Sequence, residues 1–145
     1  MGTTEVAWIA LGSNVGHRGL ALSRLRDALE TEGARIEQAS SEIVTRPVGA
    51  RAQADFHNQV IRVRSPEPWP ATRWLTFCQN AERSAGRKPT YLWGPRVADA
   101  DILLLGEHGE VHVETPDLHV PHPQLENRPF LLRLLREIGW TGDAN

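Results

Sequence analysis

The spacing of apolar residues predicts a regular order of strands and helices in the first part of the chain. A short apolar run ending in glycine, residues 5–12, is typical of a strand buried on both faces. Apolar residues then recur at helical spacing from Leu20 to Leu29, and Gly33 ends this helix. By the same criteria we expect two more strands and a second helix, at residues 34–45, 56–64 and 71–85.

The second half of the sequence predicts one more strand, a small hairpin and a last helix. The strand starts at Asp99, a glycine turn covers 106–109, and the alternation at 110–113 predicts the hairpin. Helical spacing returns at 125–138, before a polar tail at 140–145. The order β-α-β-β-α-β with an added hairpin and a C-terminal helix is the split βαβ, ferredoxin-like pattern. We therefore expect one α+β domain over residues 1–145.

Composition excludes several classes of partner. The chain has 145 residues, enough to bury a core, and its formal net charge of −2 predicts no strong attraction to nucleic acid or to anionic membranes. Its apolar runs are too short to span a bilayer, and no basic-then-apolar leader opens the sequence. One cysteine, Cys78, cannot form an intramolecular disulfide. These features predict a cytoplasmic protein.

Two carboxylates form the strongest chemical signal. Asp99 and Asp101 are two residues apart at the start of a strand, so both side chains should point to one face while Ala100 and Ile102 point to the other. Two like charges repel, and Mg²⁺, which is usually bound by one or two carboxylates together with substrate phosphates, would relieve that repulsion. Cations suited to phosphate oxygens precede the pair: Arg87, Lys88 and Arg96. We interpret this stretch as a metal–nucleotide site; the alternative is a strand that begins with two solvated acids.

Other candidate residues have structural alternatives of similar weight. Phe56 and Asn58 should share a face of their strand, where they could stack on a flat heterocycle and read its edge, or simply form a hairpin edge. His122 lies between two prolines, which stiffen the segment and could present the ring to a phosphate or a base. The glycine turn at 12–16 could cradle a phosphate, but it lacks the Gly-Lys-Ser/Thr sequence of a P-loop, and we interpret it as structural.

Short motifs follow one another in a fixed order along most of the chain. They are ALGSN at 10–14, TRPVG at 45–49, QADFHN at 53–58, Glu82 with GR at 86–87, WGPR at 93–96, DAD at 99–101, VPHP at 120–123 and NRPF at 127–130. This ordered set resembles the 6-hydroxymethyl-7,8-dihydropterin pyrophosphokinase family of the folate pathway. The resemblance covers the chain from about Val6 to Ile138, and the motif WGPR two residues ahead of DAD is its most specific part.

The resemblance implies transfer of pyrophosphate from ATP to the hydroxymethyl oxygen of the pterin, with release of AMP, by a monomer that needs neither nucleic acid nor a membrane. It implies two Mg²⁺ ions on Asp99 and Asp101. The pterin site would comprise Thr45, Val48, Phe56, Asn58, Trp93 and Phe130. The ATP site would comprise Gln79, Glu82, Arg87, Arg96, Ile102, His122 and Arg128, and the catalytic set Arg87, Arg96, Asp99 and Asp101.

Departures from the family pattern leave two alternatives open. Pro89 replaces a basic residue often found in the family's lid, and Asp117 and His119 stand where other members often have Arg and Thr near the nucleotide. The chain could therefore be a relative that binds pterin or nucleotide without chemistry. It could also be a ferredoxin-like regulatory domain, which predicts no Mg²⁺-dependent binding of ATP.

Overall fold

A computed structural model describes residues 2–13, 18–45, 56–85 and 98–142, and these form a mixed α+β architecture. The strands are β1 (Thr3–Ser13), β2 (Arg35–Ala39), β3 (Ile43–Thr45), β4 (Phe56–Pro70), β5 (Asp99–Leu105), β6 (Val113–Thr115) and β7 (Leu118–Val120). The helices are α1 (Arg18–Thr31), α2 (Ala71–Ser84) and α3 (Pro129–Glu137), with a 3₁₀ turn at Leu125–Asn127. The predicted α+β class is confirmed.

The main sheet is antiparallel and has β1 near its centre. Its strand order is β2–β4–β1–β5, with β3 pairing beside β2 on β4, while β6 and β7 form a separate hairpin. Gly12 on β1 lies opposite Asn58 on one side and Asp99 on the other. This register brings the first residues of β4 and β5 to the same end of the sheet.

Two apolar layers cover the two faces of the sheet. Ala7, Ile9 and Leu11 on β1 pack in the layer that contains α1 and α2. The alternate residues Val6 and Trp8 pack in the layer that contains α3. All five are at most 2% exposed, so the prediction of a first strand buried on both faces is confirmed. Among the helices that the structure describes, none has the length and apolar character needed to cross a lipid bilayer.

A bulge in β5 lies just beyond the carboxylate pair. The pairing with β1 shifts between Trp8 and Ile9, whose partners are Leu104 and Ile102, so that Leu103 is the extra residue. Leu103 and Leu104 consequently both pack in the α3 layer, whereas Ile102 packs with α1 and α2. A bulge re-aims the side chains that follow it. The alternation at the start of β5 therefore stays regular, and the irregularity falls within the core.

Prolines change two of the predicted boundaries. The strand expected to end at residue 64 continues to Pro70. Beyond Arg64, β4 pairs with β1 but no longer with β2, so one side of this stretch has no described strand partner. Prolines, which lack an N–H donor, are tolerated at such an edge position. The segment expected as one helix at 125–138 is a 3₁₀ turn followed by α3, which begins at Pro129. Proline is favoured in the first turn of a helix because its missing N–H donor is not needed there. Arg128 before it takes an extended φ of −128°, as residues before proline prefer.

Tertiary contacts account for three further differences. The strand expected at 34–45 is two strands, because the Ser40 side chain takes part in the pairing and accepts a hydrogen bond from the Val60 N–H at 2.9 Å. Val111 makes only an isolated bridge to Leu105, so the hairpin forms a few residues later than expected, as β6 and β7. Trp140 is 3% exposed rather than part of a loose tail.

A charged network lies on the sheet face that carries Trp8. Glu37 accepts hydrogen bonds from Arg62 at 2.6 Å and from Arg64 at 2.7 Å, and the Arg62 guanidinium lies 5.1 Å from the centre of the Trp8 ring. Both arginines also pair with Glu107. Burial acts to raise the pKa of Glu37, but the Arg64 hydrogen bond and the charges of both arginines outweigh it and lower the pKa. The charged form of Glu37 therefore contributes to stability.

We expect Glu37→Gln to lower the free energy of unfolding at pH 7 by about 1–2 kcal/mol, because it weakens the charge-assisted hydrogen bonds that Glu37 accepts from Arg35, Arg62 and Arg64. Since the folded pKa of Glu37 is depressed, its contribution is complete above its ordinary pKa of 4.5 and is lost as the pH falls through the folded pKa. Urea denaturation at pH 7 and pH 4 measures both effects. The control is Glu67→Gln at an exposed position, and equal destabilisation by the two variants would contradict the prediction.

Candidate active site

A cleft of about 220 Å³ opens on the α3 side of the sheet, at the end where β4 and β5 begin. Its walls come from β1, β4, β5, the segment after β7 and the start of α3. Seven of the residues implied by the family resemblance line it: Phe56, Asn58, Asp99, Asp101, His122, Arg128 and Phe130. The fold therefore brings together side chains from positions 56 to 130 of the sequence.

The floor of the cleft follows from the side chains of β1. Val6 and Trp8 fill the α3 side of this strand, whereas the next positions on the same face are Ala10 and Gly12. Ala10 and Gly12 both line the cleft, with Leu131 of α3 beyond them. The face of β1 thus changes from large to small side chains, and space remains where the small ones lie.

The two carboxylates open into this cleft from the first residues of β5. Asp99 is partly buried and Asp101 is exposed, and both line the cleft. Ala100, which lies between them, and Ile102, which follows them, pack in the core on the opposite face of the sheet. Burial raises the pKa of the Cys78 thiol far above its usual range, and the negative charges of Glu82 and Asp101 act in the same direction. Asp101 and Glu82 thus both lie near enough to Cys78 to act on its thiol.

A divalent cation fits this pair of acids. Within the described ranges, no group of three or more His, Cys, Asp and Glu side chains is arranged to hold a metal ion. Two carboxylates facing one cleft are the donor set that Mg²⁺ commonly uses when water and substrate phosphates complete its coordination. Asp99 and Asp101 are thus the carboxylates of the cleft that could hold such a cation.

The aromatic and amide side chains form the other part of the cleft. Phe56 and Asn58 both line it from β4, and Phe130 lines it from the first turn of α3. The Asn58 amide nitrogen donates to Thr45 Oγ1 at 2.9 Å and to the Phe56 carbonyl at 3.3 Å. These bonds fix the orientation of the Asn58 amide, and Thr45 supports it from β3.

His122 is held by its own backbone and by its ring. Its N–H donates to the Leu103 carbonyl at 2.9 Å, and its Nδ1 accepts from the Gln124 N–H at 3.1 Å. Because Nδ1 acts as acceptor, the neutral ring carries its proton on Nε2. Burial lowers the pKa of His122, the charge of Asp101 acts to raise it, and the charge of Arg128 acts to lower it. The net shift is downward, which favours the neutral ring.

Four residues implied by the resemblance do not line the described cleft: Thr45, which supports Asn58 from β3, and Ile102, Gln79 and Glu82. Ile102 is 4% exposed and packs with α1 and α2 on the other face of the sheet. Gln79 is exposed on α2, and Glu82 is 8% exposed on the same helix, where its Oε2 accepts a hydrogen bond from the Ala100 N–H. Four other implied residues lie outside the described residues: Val48, Arg87, Trp93 and Arg96.

Sequence comparison assigns the chain to a family. The model of the 7,8-dihydro-6-hydroxymethylpterin-pyrophosphokinase (HPPK) family matches residues 8–139. The chain belongs to the HPPK family. The resemblance drawn from the short motifs is thereby confirmed.

Individual relatives agree with this assignment. The 2-amino-4-hydroxy-6-hydroxymethyldihydropteridine pyrophosphokinase of Bacillus subtilis is 38% identical over 136 residues, which cover 92% of this chain and 78% of the relative. The protein of the same name from Aquifex aeolicus is 36% identical over 134 residues, covering 90% and 78%. The one from Mycobacterium bovis is 33% identical over 130 residues, covering 86% and 67%. The match to the HPPK family thus extends over most of the chain.

We expect the ring of His122 to titrate below its ordinary pKa of 6.5, with Nε2 protonated in the neutral form. Because the folded pKa is depressed, the contribution of this residue to stability is complete above pH 6.5 and is lost as the pH falls through the folded pKa. NMR titration of the imidazole signals, assigned with a His122→Gln variant, measures the midpoint and the tautomer. A midpoint above 6.5 would show that the charge of Asp101 outweighs burial.

Proposed function

We propose that this protein transfers the pyrophosphoryl group of ATP to the hydroxymethyl oxygen of 6-hydroxymethyl-7,8-dihydropterin and releases AMP, as a step of folate biosynthesis. The observation that carries the proposal is that Asp99 and Asp101 open into the same cleft as Phe56 and Phe130. Membership of the HPPK family supports the same reaction. A ferredoxin-like core is part of this proposal, supported by the strand order β2–β4–β1–β5 and its antiparallel pairing.

In the proposed reaction, the hydroxymethyl oxygen attacks the β-phosphorus of ATP. The new bond joins that oxygen to the β-phosphorus, the bond from the β-phosphorus to the α-phosphate oxygen breaks, and the hydroxyl proton is released. AMP leaves with the electron pair of the broken bond. In such transfers a protein contributes chiefly by positioning the reactants and neutralising charge.

The acid pair would hold two Mg²⁺ ions together with the triphosphate. When bound, these ions supply positive charge to the phosphate oxygens. Asp99 and Asp101 fix where that charge is placed because both belong to one paired strand. Arg128 and the Nε2–H of His122 line the same cleft and can donate hydrogen bonds to phosphate oxygens. Arg87 and Arg96 are proposed to bind the phosphates by analogy with the family.

The aromatic side chains would bind the pterin. Phe56 and Phe130 offer flat apolar surfaces from two different elements, and aromatic rings stack favourably on a heterocycle. Asn58, fixed by its bond to Thr45, would read the polar edge of the ring. Val48 and Trp93 are proposed to complete this half of the site by family analogy. The same proposal includes action as a monomer in the cytoplasm, without nucleic acid.

The product of the reaction tests the proposed function. Incubation of the protein with ATP, Mg²⁺ and 6-hydroxymethyl-7,8-dihydropterin should release AMP in equal amount to the pyrophosphorylated pterin, measured by ion-pair chromatography. Release of ADP would contradict pyrophosphoryl transfer. Binding of the pterin, followed by its fluorescence, without release of AMP would favour a binding protein instead.

The acid pair is tested by isosteric substitution. We expect Asp99→Asn and Asp101→Asn each to lower kcat/KM by on the order of 100-fold or more, because an amide cannot neutralise a cation as a carboxylate does. Initial rates over a range of Mg²⁺ concentrations measure the effect, and circular dichroism checks that the variants are folded. Asp27→Asn, at an exposed position of α1, is the matched control. Rates near those of the control would contradict the assignment of Asp99 and Asp101.

A further inference from the structure

Glu82 is a charged residue in an apolar layer. It lies on α2, which packs against the sheet through Trp74, Phe77, Cys78 and Ala81, and it is only 8% exposed. A buried carboxylate is costly unless hydrogen bonds compensate for the loss of water. The contacts of Glu82 should therefore show which groups stabilise its buried carboxylate.

One of those contacts is with the backbone of the acid pair. Oε2 of Glu82 accepts a hydrogen bond from the Ala100 N–H at 2.8 Å, and this bond is buried. Ala100 is the residue between Asp99 and Asp101. The bond therefore fixes the peptide group that joins Asp99 to Ala100, and with it the directions in which the flanking side chains leave the strand.

The position of β5 in the sheet gives this bond its importance. β5 is the last strand of the order β2–β4–β1–β5, so β1 is its strand partner on one side. On β1, Gly12 lies opposite Asp99 and Ala10 lies opposite Asp101. The Ala100 N–H, between these two pairs, donates to a side chain of α2. The segment is thus held by two different elements, a strand and a helix.

We infer that Glu82 is a positioning residue, which holds the Asp-Ala-Asp segment so that both aspartates face the cleft. The inference rests on the proposed function for the role of the acid pair, and it differs from the family resemblance, which places Glu82 on the ATP side. A carboxylate acceptor makes a stronger hydrogen bond than a neutral one. Small displacements of groups that position a substrate can lower a rate by on the order of 100-fold.

Two substitutions separate the hydrogen bond from the bulk of the side chain. Glu82→Gln keeps a neutral acceptor of almost the same shape, whereas Glu82→Met keeps an unbranched chain of similar length without a strong acceptor. Cys78→Ala is the matched control for damage to the core, because Cys78 lies one turn earlier on α2 and is also buried. It removes a side chain from the same layer and leaves Glu82 in place.

The first measurement needs neither substrate nor metal. In ¹⁵N-labelled protein without ligands, the Ala100 amide should exchange slowly with deuterium and show a downfield proton shift. We expect Glu82→Met to accelerate its exchange about tenfold relative to neighbouring β5 amides, as for the loss of one hydrogen bond, and Glu82→Gln to have a smaller effect. Cys78→Ala should leave the Ala100 signal unchanged. Unchanged Ala100 exchange in Glu82→Met would overturn the inference, whatever the activity of the protein.

The second measurement concerns function. Glu82→Met should raise the Mg²⁺ concentration for half-maximal AMP release and lower kcat, each by about tenfold, with little change in the KM for the pterin. Glu82→Gln should recover most of both losses, and Cys78→Ala should behave as the unsubstituted protein. Equal losses in Glu82→Gln and Glu82→Met would overturn positioning through the hydrogen bond. If the unsubstituted protein released no AMP, the proposed function would fail, while the amide exchange would still decide whether Glu82 holds the segment.

Discussion

The pairing of β1 with both of its neighbours is the constraint on which the cleft depends. Gly12 lies between Asn58 of β4 and Asp99 of β5, so one register fixes the distance between the aromatic and the acidic parts of the site. A shift of either neighbour by one residue would turn its side chains to the opposite face. The cleft is therefore a consequence of strand register more than of any loop that the structure describes.

The same strand also determines where the cleft lies along the sheet. Val6 and Trp8 are large and support the helix layer above them, whereas Ala10 and Gly12 leave the space that the cleft occupies. Packing in the core and binding at the site thus depend on a gradient of side-chain size within one strand. The decrease in side-chain size is visible in the sequence at alternate positions, but its role becomes clear only when the covering helix α3 is known to begin there.

Strong periodic patterns predicted most of the fold. The first strand, the two long helices and the start of β5 were predictable, because each buries defined faces and its apolar residues therefore recur with the period of a strand or a helix. The proline-containing end of β4 and the burial of Trp140 were not, because both depend on which distant segments pack nearby. Pro129 is a local signal that could have predicted the true start of α3.

The candidate site was predictable to a similar degree. Alternation alone places Asp99 with Asp101 and Phe56 with Asn58, and both pairs do line the cleft. Glu82 was harder, because a polar residue on a helix can face a ligand or a neighbouring strand, and the choice depends on how the helix lies on the sheet. Glu82 follows Cys78 of the apolar stripe by one turn of α2. An acid at such a position is the sequence signal that could have predicted a hydrogen bond from a neighbouring backbone N–H.

The burial of Cys78 has a practical consequence. It is the one cysteine of the chain, and the raised pKa of its thiol keeps it protonated at neutral pH. A protonated thiol in a packed interior reacts poorly with electrophiles. Two cysteines introduced on the surface, one on each side of the cleft, would therefore take up maleimide fluorophores selectively, so that the distance across the cleft could be followed by energy transfer without removing the native residue.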